Sequence, residues 1–371
     1  MSTAIEKGSI LIHRVFDVGS EISLVRAAQL LSAESGPGLK FATNKRKAII
    51  IKESPIKADL GEEALELPSG NHPVRVFARI WNYGVVSITI EMSIQPGTEW
   101  GDLVRTASEL ETSEEVDRVA LSRKDALKKK VISAVTGPAE WEVFEDYITY
   151  IIEKAPGIED PREFIKNVDV AALILAEAKE HLGEESKNFI LESATQYSTT
   201  DLAIIDWNSA LLIEPDGERD VADVIEFSLT HLLEFRYYDE MLGIKLDELY
   251  DTMEQKRESV WNIFRNFYAD IAEDSSRKYM DFSEFLGRVE NSLKTVGDPY
   301  LAVVFRASAQ EFHFDDWRKS ISRKMETLAQ ISQMLHGEVN TRRSQWLEIV
   351  VILLIALEMI PLWMESSKFM H

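Results

Sequence analysis

The sequence predicts an α+β protein: a mainly antiparallel N-terminal sheet with helices, a helical middle region, and a coiled-coil-like C-terminal helix that runs into a transmembrane segment. Three observations predict this fold. Apolar residues alternate as in strands before residue 100, helical spacing dominates from residue 121, and an apolar run lies near the end. The order strand, helix, strands, helix is compatible with a ferredoxin-like arrangement of the first part.

The same observations divide the chain of 371 residues, which is long enough for two or three domains. The predicted parts are an α+β head domain (1–120), a mainly helical region (121–300) with a short strand pair near 202–214, a long heptad-patterned helix (301–345), a transmembrane helix (346–364) and a short tail (365–371).

Two stretches of the predicted head domain have strand patterns. Between Ile10 and Val18, Ile10, Ile12 and Phe16 fall on one face by period-two counting. Further on, the runs 74–81 and 85–93 are separated by Asn82-Tyr83-Gly84, a three-residue connection with glycine that is typical of a β-hairpin. Both patterns predict a sheet with a buried face.

The middle region shows a helical spacing followed by an interruption. Apolar residues separated by four and three predict one helix with a single buried stripe: Phe164, Val168, Ala171, Leu175, Ala178 and Leu182. After it, the short apolar runs 202–205 and 210–213 predict a strand pair with a turn near Asn208-Ser209. For Trp81 and Trp207, on predicted strands, we favour packing in the core over a ligand pocket.

A heptad pattern occupies the predicted long helix. Its apolar positions step by four and three, and the predicted oligomer seam consists of Ile321, Met325, Leu328, Leu335 and Val339. Such a seam is typical of helices that wind together, within one chain or between copies. The alternative is an amphipathic helix that packs on the chain's own body. A homo-oligomer is therefore one predicted assembly.

Residues 346–363 form an apolar run in which Glu348 and Glu358 are the only charges. As a helix this run is about 26 Å long, close to the ~30 Å hydrocarbon core of a bilayer. Its aliphatic residues favour insertion by about 3–7 kcal/mol, against up to about 3 kcal/mol for each carboxylate. We predict a span whose marker positions are Trp346, Glu348, Ile349, Leu353, Glu358, Pro361 and Trp363. The alternative is a buried helix of a soluble core.

Charge and composition bound the partners and the location. The formal net charge of −22 makes nucleic acid an unlikely partner, although Lys128, Lys129 and Lys130 form a local basic run. The N-terminus has no signal-peptide pattern, and Arg342 and Arg343 precede the apolar run. These features predict a single-pass C-terminal anchor in a membrane, with the N-terminal body in the cytoplasm, or in the matrix of a mitochondrion. The predicted partners are further copies of the chain, the bilayer and an unidentified protein.

Few residues have the spacing of a catalytic or cofactor site. The chain has no cysteine, and nucleophile-elbow, Walker and dinucleotide motifs are absent, so we predict no enzyme activity and no cofactor. A weak candidate site is the segment Glu311-Phe-His313-Phe-Asp315-Asp316, whose histidine and acids suit metal ligation or acid–base chemistry. The alternative places Asp315 and Asp316 at the start of a helix, above packed aromatic residues.

Two segments resemble the required-for-meiotic-nuclear-division (RMND) family. They are Tyr83-Gly84-Val85-Val86 and the C-terminal segment 343–360, in which Trp346, Glu348 and Glu358 match the family's closing pattern. The resemblance implies an anchored homo-oligomer without catalytic residues to transfer. In eukaryotes the family is associated with the mitochondrial inner membrane and with organelle translation. The lack of a mitochondrial leader favours a prokaryotic member here.

The leading hypothesis for function joins these features. It describes a membrane-anchored homo-oligomeric scaffold or tether, whose α+β head positions a partner at the membrane. One alternative is an enzyme or a nucleotide-sensing head that its helices place. A second is a factor associated with translation or RNA.

Overall fold

The computed structural model describes residues 3–35, 55–138, 141–179, 181–255, 277, 280, 282–287, 299–331, 333, 348 and 351–355. The chain forms two compact units. The first comprises Met1–Tyr237 and Arg288–Trp317, and the second comprises Tyr238–Gly287 and Arg318–His371.

The described elements include strands and helices with the following bounds. The strands are β1 (Ala4–Ile5), β2 (Lys7–Asp17), β3 (Gly19–Ile22), β4 (Ile56–Leu67), β5 (Gly70–Ile80), β6 (Val85–Ile94), β7 (Thr98–Glu99), β8 (Val135–Pro138), β9 (Phe144–Lys154), β10 (Leu202–Ile205) and β11 (Ser209–Ile213). The helices are α1 (Leu24–Ser35), α2 (Trp100–Glu111), α3 (Glu114–Val131), α4 (Pro161–Asn167), α5 (Val170–Ile174), α6 (Glu184–Glu192), α7 (Asp220–Gln255) and α8 (Pro299–Glu311), with a 3₁₀ turn at Ile132–Ala134.

A seven-stranded sheet organises the first unit, in the order β10-β11-β9-β2-β6-β5-β4. Its neighbours are antiparallel except for β11 and β9, which are parallel, so the sheet is mixed. The α+β class therefore agrees with the structure. A ferredoxin-like head does not describe it, because strands from beyond residue 140 complete the sheet.

The two faces of this sheet differ in chemistry. In the central strands, Ile12 pairs with Ile90 and Ile148 on one face, whereas the next residue, His13, pairs with Thr89 and Tyr147 on the other. Successive side chains of a strand point to opposite faces, so this difference extends along each strand. We call the two sides the apolar face and the polar face.

The apolar face forms the main hydrophobic core. Side chains of β2, β5, β6, β9, β10 and β11 belong to one buried cluster with residues of α1 to α6. Ile12, Ile88 and Ile90 are fully buried there, together with Leu103 and Val119 of the covering helices. The predicted buried face of Ile10, Ile12 and Phe16 is confirmed as part of this cluster.

The polar face is covered by the first part of α7, to which it is joined by polar contacts. Arg79 of β5 donates hydrogen bonds to Asp223 and Glu226. Arg219, just before α7, donates to Ser9 Oγ at 2.7 Å, and Arg236 donates to both carboxylate oxygens of Glu145 at 2.8 and 2.9 Å. Charged groups of both signs therefore align α7 on the sheet.

Several buried side chains at the polar face and on α7 have an atom without a hydrogen-bond partner among the described residues. These atoms are His13 Nε2, Trp81 Nε1, Ser87 Oγ, Thr149 Oγ1 and Glu226 Oε1. His13 itself bonds to Thr89 through Nδ1 at 3.1 Å. Burial, with the Arg79 charge as the next contribution, lowers the pKa of His13 to about 3, so this imidazole is neutral at physiological pH.

The predicted hairpin is confirmed by the antiparallel pairing of β5 with β6. Its turn contains Gly84 with a φ of +89°, in the left-handed region that favours glycine. A Cβ atom at this position would lie 1.6 Å from the carbonyl oxygen of Gly19. Glycine is therefore required both by the turn and by the close approach of β3.

The single helix expected between Phe164 and Leu182 is wrong. Two short helices, α4 and α5, occupy this stretch, and Val168 between them has an extended backbone. The reason is local capping: Asp160 and Asp169 each accept a hydrogen bond from the backbone N–H three residues later, so each begins its own helix. Hydrophobic spacing alone does not detect such caps.

The second unit contains the later part of α7, the helical residues 282–287 and the helical residues 318–331. The ring of Tyr238 lies 5.4 Å from those of Phe282 and Phe285. Asp239 accepts hydrogen bonds from Ser320 Oγ at 2.7 Å and pairs with Lys324 at 2.9 Å. Aromatic packing and one carboxylate thus hold these helical segments together.

The predicted transmembrane segment is wrong on this structure, because no helix of the described residues is long and apolar enough to cross a bilayer. Within 346–364, the structure describes Glu348 and Val351–Ile355 as helical. The other marker positions, namely Trp346, Ile349, Glu358, Pro361 and Trp363, lie outside the described residues. The transmembrane part of the fold class and the single-pass membrane location are therefore withdrawn.

Candidate functional site

An open cavity of about 430 Å³ lies at the turn between β10 and β11. We call it the turn pocket. Its lining residues are Leu175, Glu185, Ser186, Phe189, Ile190 and Asp206. They come from the end of α5, from α6 and from the turn itself, all within the first unit. The volume falls in the range typical of small-molecule sites.

Hydrogen bonds hold the turn that contributes Asp206. The backbone N–H of Asp206 donates to the carbonyl of Ser209 at 2.9 Å, which closes the turn between the two strands. The Tyr147 hydroxyl of β9 donates to the Asp206 carbonyl at 2.9 Å, and Ser209 Oγ donates to the Ile174 carbonyl of α5 at 2.9 Å. The sheet and α5 therefore fix the position of the pocket floor.

A second group of side chains adjoins the turn pocket through Asp206. The ring of Trp207 lies 5.6 Å from the imidazole of His313 and 6.4 Å from the ring of Phe312. Glu311, at the end of α8, is close enough to Asp206 for the two carboxylates to interact electrostatically. We call Asp206, Trp207, Glu311 and His313 the acid–aromatic cluster.

The acids of this cluster are perturbed by their surroundings. Burial raises the pKa of Asp206. The backbone N–H of Trp207 donates a hydrogen bond to the Asp206 carboxylate and opposes this rise. Burial also raises the pKa of Glu311, the charge of Asp206 adds to the effect, and His313 opposes it. Acids with raised pKa values beside a cavity are typical of functional sites.

No lysine or arginine among the described residues forms an ion pair with Glu185, Asp206 or Glu311. Elsewhere in the first unit, buried acids do have such partners, as Glu145 has Arg236. Within the described part of the chain, no group of three or more histidines, cysteines or acids is arranged to hold a metal ion. The acids of the pocket therefore give it a negative charge that the described residues do not neutralise.

Backbone strain marks the same region. In the described residues, Ala176 with a φ of +51° and His313 with a φ of +54° are the only residues other than glycine with positive φ. Ala176 directly follows the pocket residue Leu175, and His313 belongs to the acid–aromatic cluster. Left-handed backbone at such residues is unfavourable, and it is found preferentially where function constrains the chain.

The weak candidate site predicted around His313 is only partly assembled. The ring of His313 lies against that of Trp207, whereas the exposed Asp315 and Asp316 lie in the first turn of the helical residues 314–331. Phe312 and Phe314 are buried beside them. The alternative of a helix start above packed aromatic residues therefore agrees with the structure.

The other predicted interaction residues have separate positions. Ile321, Met325 and Leu328 of the seam are buried in the chain, and Leu335 and Val339 lie outside the described residues. Leu353, by contrast, is 58% exposed. The basic run lies in the last turn of α3, with Lys129 and Lys130 exposed.

Sequence reasoning missed Glu185, Phe189 and Asp206. Their sequence neighbourhoods are unrelated, so no motif joined them. One signal was present: Trp207 follows an apolar strand, and a pocket was the alternative considered for it. The structure leaves Trp207 40% exposed beside the pocket but buries Trp81 in the interior.

Comparisons with known proteins identify the region that carries most of this site. A family model described as "Uncharacterized protein MJ0711, N-terminal domain" matches residues 7–220. The uncharacterized protein MJ0711 of Methanocaldococcus jannaschii is 25% identical over 218 residues, which cover 58% of this chain and 65% of that protein. No solved structure matches the chain. All lining residues of the turn pocket lie inside the matched region, whereas Glu311 and His313 lie outside it.

Proposed function

Because the chain belongs to the MJ0711 N-terminal domain family, and because that domain contains the turn pocket, we propose that it is a binding and scaffolding protein that holds a partner group there without transforming it. The observation that carries this proposal is the pocket itself. It combines an open cavity with acids that lack cationic partners among the described residues.

The composition of the site favours binding over catalysis. The imidazole of His313 lies against the indole of Trp207 with an interplanar angle of 35°, an arrangement suited to holding a flat or charged group. A partly apolar lining with a few polar groups is typical of recognition sites.

Filling the pocket tests this function. Ser186→Trp in α6 places a bulky side chain in the pocket, and Asn188→Trp places the same side chain two residues away, on the opposite side of the same helix. We expect the full-length wild type and Asn188→Trp to retain a ligand or partner in native mass spectrometry, and Ser186→Trp to lose it. The retained molecule should be recovered chemically unchanged after incubation with the protein.

Two results would contradict the proposal. One is that no retained species depends on the open pocket, for example because the same species is equally abundant in all three proteins. The other is conversion of the bound molecule by the wild type at a rate that Ser186→Trp abolishes, which would favour the enzyme alternative.

Self-association is a second candidate function, supported by a different observation. Val351–Ile355 are five consecutive helical apolar residues, each between 52% and 60% exposed. Consecutive residues of a helix point in all directions around its axis, so these side chains present apolar surface on every side. Exposed apolar surface of this kind typically marks an interaction site. We propose that copies of the chain associate through this segment, which continues the four-three spacing of the sequence at Leu353.

The oligomeric state decides this second candidate. We expect the full-length protein to have a mass that is a multiple of 42.2 kDa. Leu353→Asp should lower that mass to the monomer value. Val25→Asp is the matched control, because Val25 is also an exposed apolar side chain but lies on α1. A monomeric wild type, or equal effects of both substitutions, would exclude the proposed interface.

We also propose that the chain is a member of the RMND family. It is supported by the segments 83–86 and 343–360 of the sequence. The similarity to an archaeal protein is compatible with the prediction of a prokaryotic member.

A further inference from the structure

The charge of the turn pocket restricts what it can bind. Glu185 and Asp206 line the cavity, and Glu311 lies near Asp206. Asp206 and Glu311 are partly buried and lack a cationic partner among the described residues, so these two carboxylates lose hydration without gaining an ion pair, whereas Glu185 is exposed. An anionic ligand would be repelled by these carboxylates. A positively charged ligand would supply the missing partner.

The apolar lining restricts the ligand further. Phe189 lines the pocket and is 64% exposed, and Leu175 and Ile190 line the same cavity. An aromatic face attracts an ammonium or guanidinium group placed within about 6 Å of the ring. The chain already contains such a contact, since Lys57 Nζ lies 4.0 Å from the ring centroid of Phe77.

The size and donor set distinguish an organic cation from a metal ion. A cavity of about 430 Å³ holds a ligand of several non-hydrogen atoms. Calcium or magnesium would require six or more oxygen ligands close together. The described residues contain no cluster of acids or histidines arranged in that way.

We infer that the turn pocket binds an organic cation: an ammonium or guanidinium group on a short carbon chain. The charged group lies near Asp206 and Glu185, and its carbon substituents contact Phe189 and Ile190. This inference rests on the proposed binding function and names the ligand class of that site. The cation is either a free small amine or the basic side chain of a partner protein, since both present the same chemistry.

Matched probes test the ligand class on the full-length protein. Choline and agmatine are the cations, 3,3-dimethylbutan-1-ol is the uncharged isostere of choline, and an acetylated, amidated Gly-Arg-Gly peptide represents a protein side chain. Binding is measured by calorimetry and by saturation-transfer NMR. We expect the cations to bind at least about tenfold more tightly than the isostere, because the isostere keeps the shape but loses the charge. Tighter binding of agmatine than of the peptide would indicate a free amine, and the reverse order would indicate a protein side chain.

Three variants assign that binding to the pocket. Asp206→Asn should weaken cation binding by roughly tenfold, which corresponds to the loss of one favourable charge contact. Phe189→Leu should reduce the preference of the protein for choline over its isostere, because leucine keeps the apolar contact but lacks the aromatic face. Glu62→Gln removes an exposed acid from β4 and should leave binding unchanged.

Several outcomes would overturn the inference, and they separate it from the proposed function. Equal binding of choline and its isostere, an unaltered affinity in Asp206→Asn, or no binding of any cationic probe would exclude the cation class. If the wild type nevertheless retained an uncharged molecule that Ser186→Trp lost, the binding function would stand and only the ligand class would be wrong. If no species depended on the open pocket, both would be wrong.

Discussion

The apolar and polar faces of the seven-stranded sheet solve the same packing problem with different chemistry. On the apolar face, aliphatic side chains such as Ile12 and Ile90 pack against helices without directional bonds. On the polar face, α7 is held by directional contacts, such as the ion pairs of Arg79 with Asp223 and with Glu226, of which the pair with Glu226 is the more buried. Two helical layers of one sheet are therefore held by different forces.

This difference separates stability from positioning. Burial of apolar area stabilises the fold at about 25 cal/mol per Å² and tolerates small shifts of the packed helices. Buried ion pairs gain little net free energy because both charges lose their hydration, but they are satisfied in one alignment only. We infer that the apolar face supplies most of the stability of the first unit and that the polar face fixes the position of α7.

The largest expected effect is on the polar face. Arg79→Ala leaves the buried carboxylate of Glu226 without its cation, and we expect a loss of about 3–5 kcal/mol in the free energy of unfolding. Arg79→Met combined with Glu226→Met removes both charges and should recover most of that loss. Urea denaturation of the three proteins measures both values. A double variant as unstable as Arg79→Ala would show that the pair itself supplies stability.

A core truncation on the apolar face should have a slightly smaller effect. Ile90→Ala removes buried methyl groups and should cost about 2–5 kcal/mol, whereas Ile90→Val should cost about 0.5–1.5 kcal/mol. Unlike the loss in Arg79→Ala, this loss should not be recovered by a second substitution that removes a neighbouring group, because Ile90 packs without a directional bond. A cost below 0.5 kcal/mol for Ile90→Ala, measured by the same denaturation, would contradict the assignment of stability to this face.

The buried His13–Thr89 bond gives a smaller test of the polar face. Thr89→Val leaves His13 Nδ1 without a partner and should cost about 1–3 kcal/mol. His13→Leu with Thr89→Val removes both polar groups and should be less destabilising than Thr89→Val alone. If the double variant is the less stable of the two, the unpartnered Nδ1 atom of His13 is not the cause of the loss in Thr89→Val.

The last expected effect concerns pH at the turn between β11 and α7. Burial, followed by the charge of Asp201 and other acids, raises the pKa of Glu214 to about 8. A carboxyl group with a raised pKa stabilises the fold below its unfolded pKa, and this stabilisation is lost as pH rises through the folded value. The midpoint of thermal unfolding should therefore fall between pH 5 and pH 9, and the fall should be smaller in Glu214→Gln.

An exposed acid provides the control for the pH experiment. Glu62→Gln, on β4, should keep the pH dependence of the wild type. If Glu214→Gln and Glu62→Gln show the same dependence as the wild type, the carboxyl group of Glu214 is not the cause.

Local patterns in the sequence were sufficient for part of the fold. The alternation in β2 and the glycine of the Asn82-Tyr83-Gly84 turn identified the buried face and the hairpin, because both depend on neighbouring residues only. The break between α4 and α5 was missed, since hydrophobic spacing continued through it while the caps at Asp160 and Asp169 did not enter the pattern. The transmembrane prediction is wrong, because no helix among the described residues is both long and apolar enough to cross a bilayer.

The candidate site depended on contacts that no local pattern contains. His313 was identified from its own segment, but Asp206 and Phe189 come from β10–β11 and α6, more than 100 residues away along the chain. Leu175, which directly follows α5, also lines the pocket. A site assembled from distant elements becomes visible only when those elements are placed together.

The amino-acid sequence alone determined the α+β class, the apolar face of the sheet and the acidic character of the protein, because period-two alternation and net charge are properties of the chain itself. Only the tertiary structure decided that the sheet is mixed and that its second face pairs charged groups with α7. It also decided that Glu185 and Asp206 line one cavity together with Phe189. These features depend on residues far apart in the chain, whose proximity arises from the packing of whole elements.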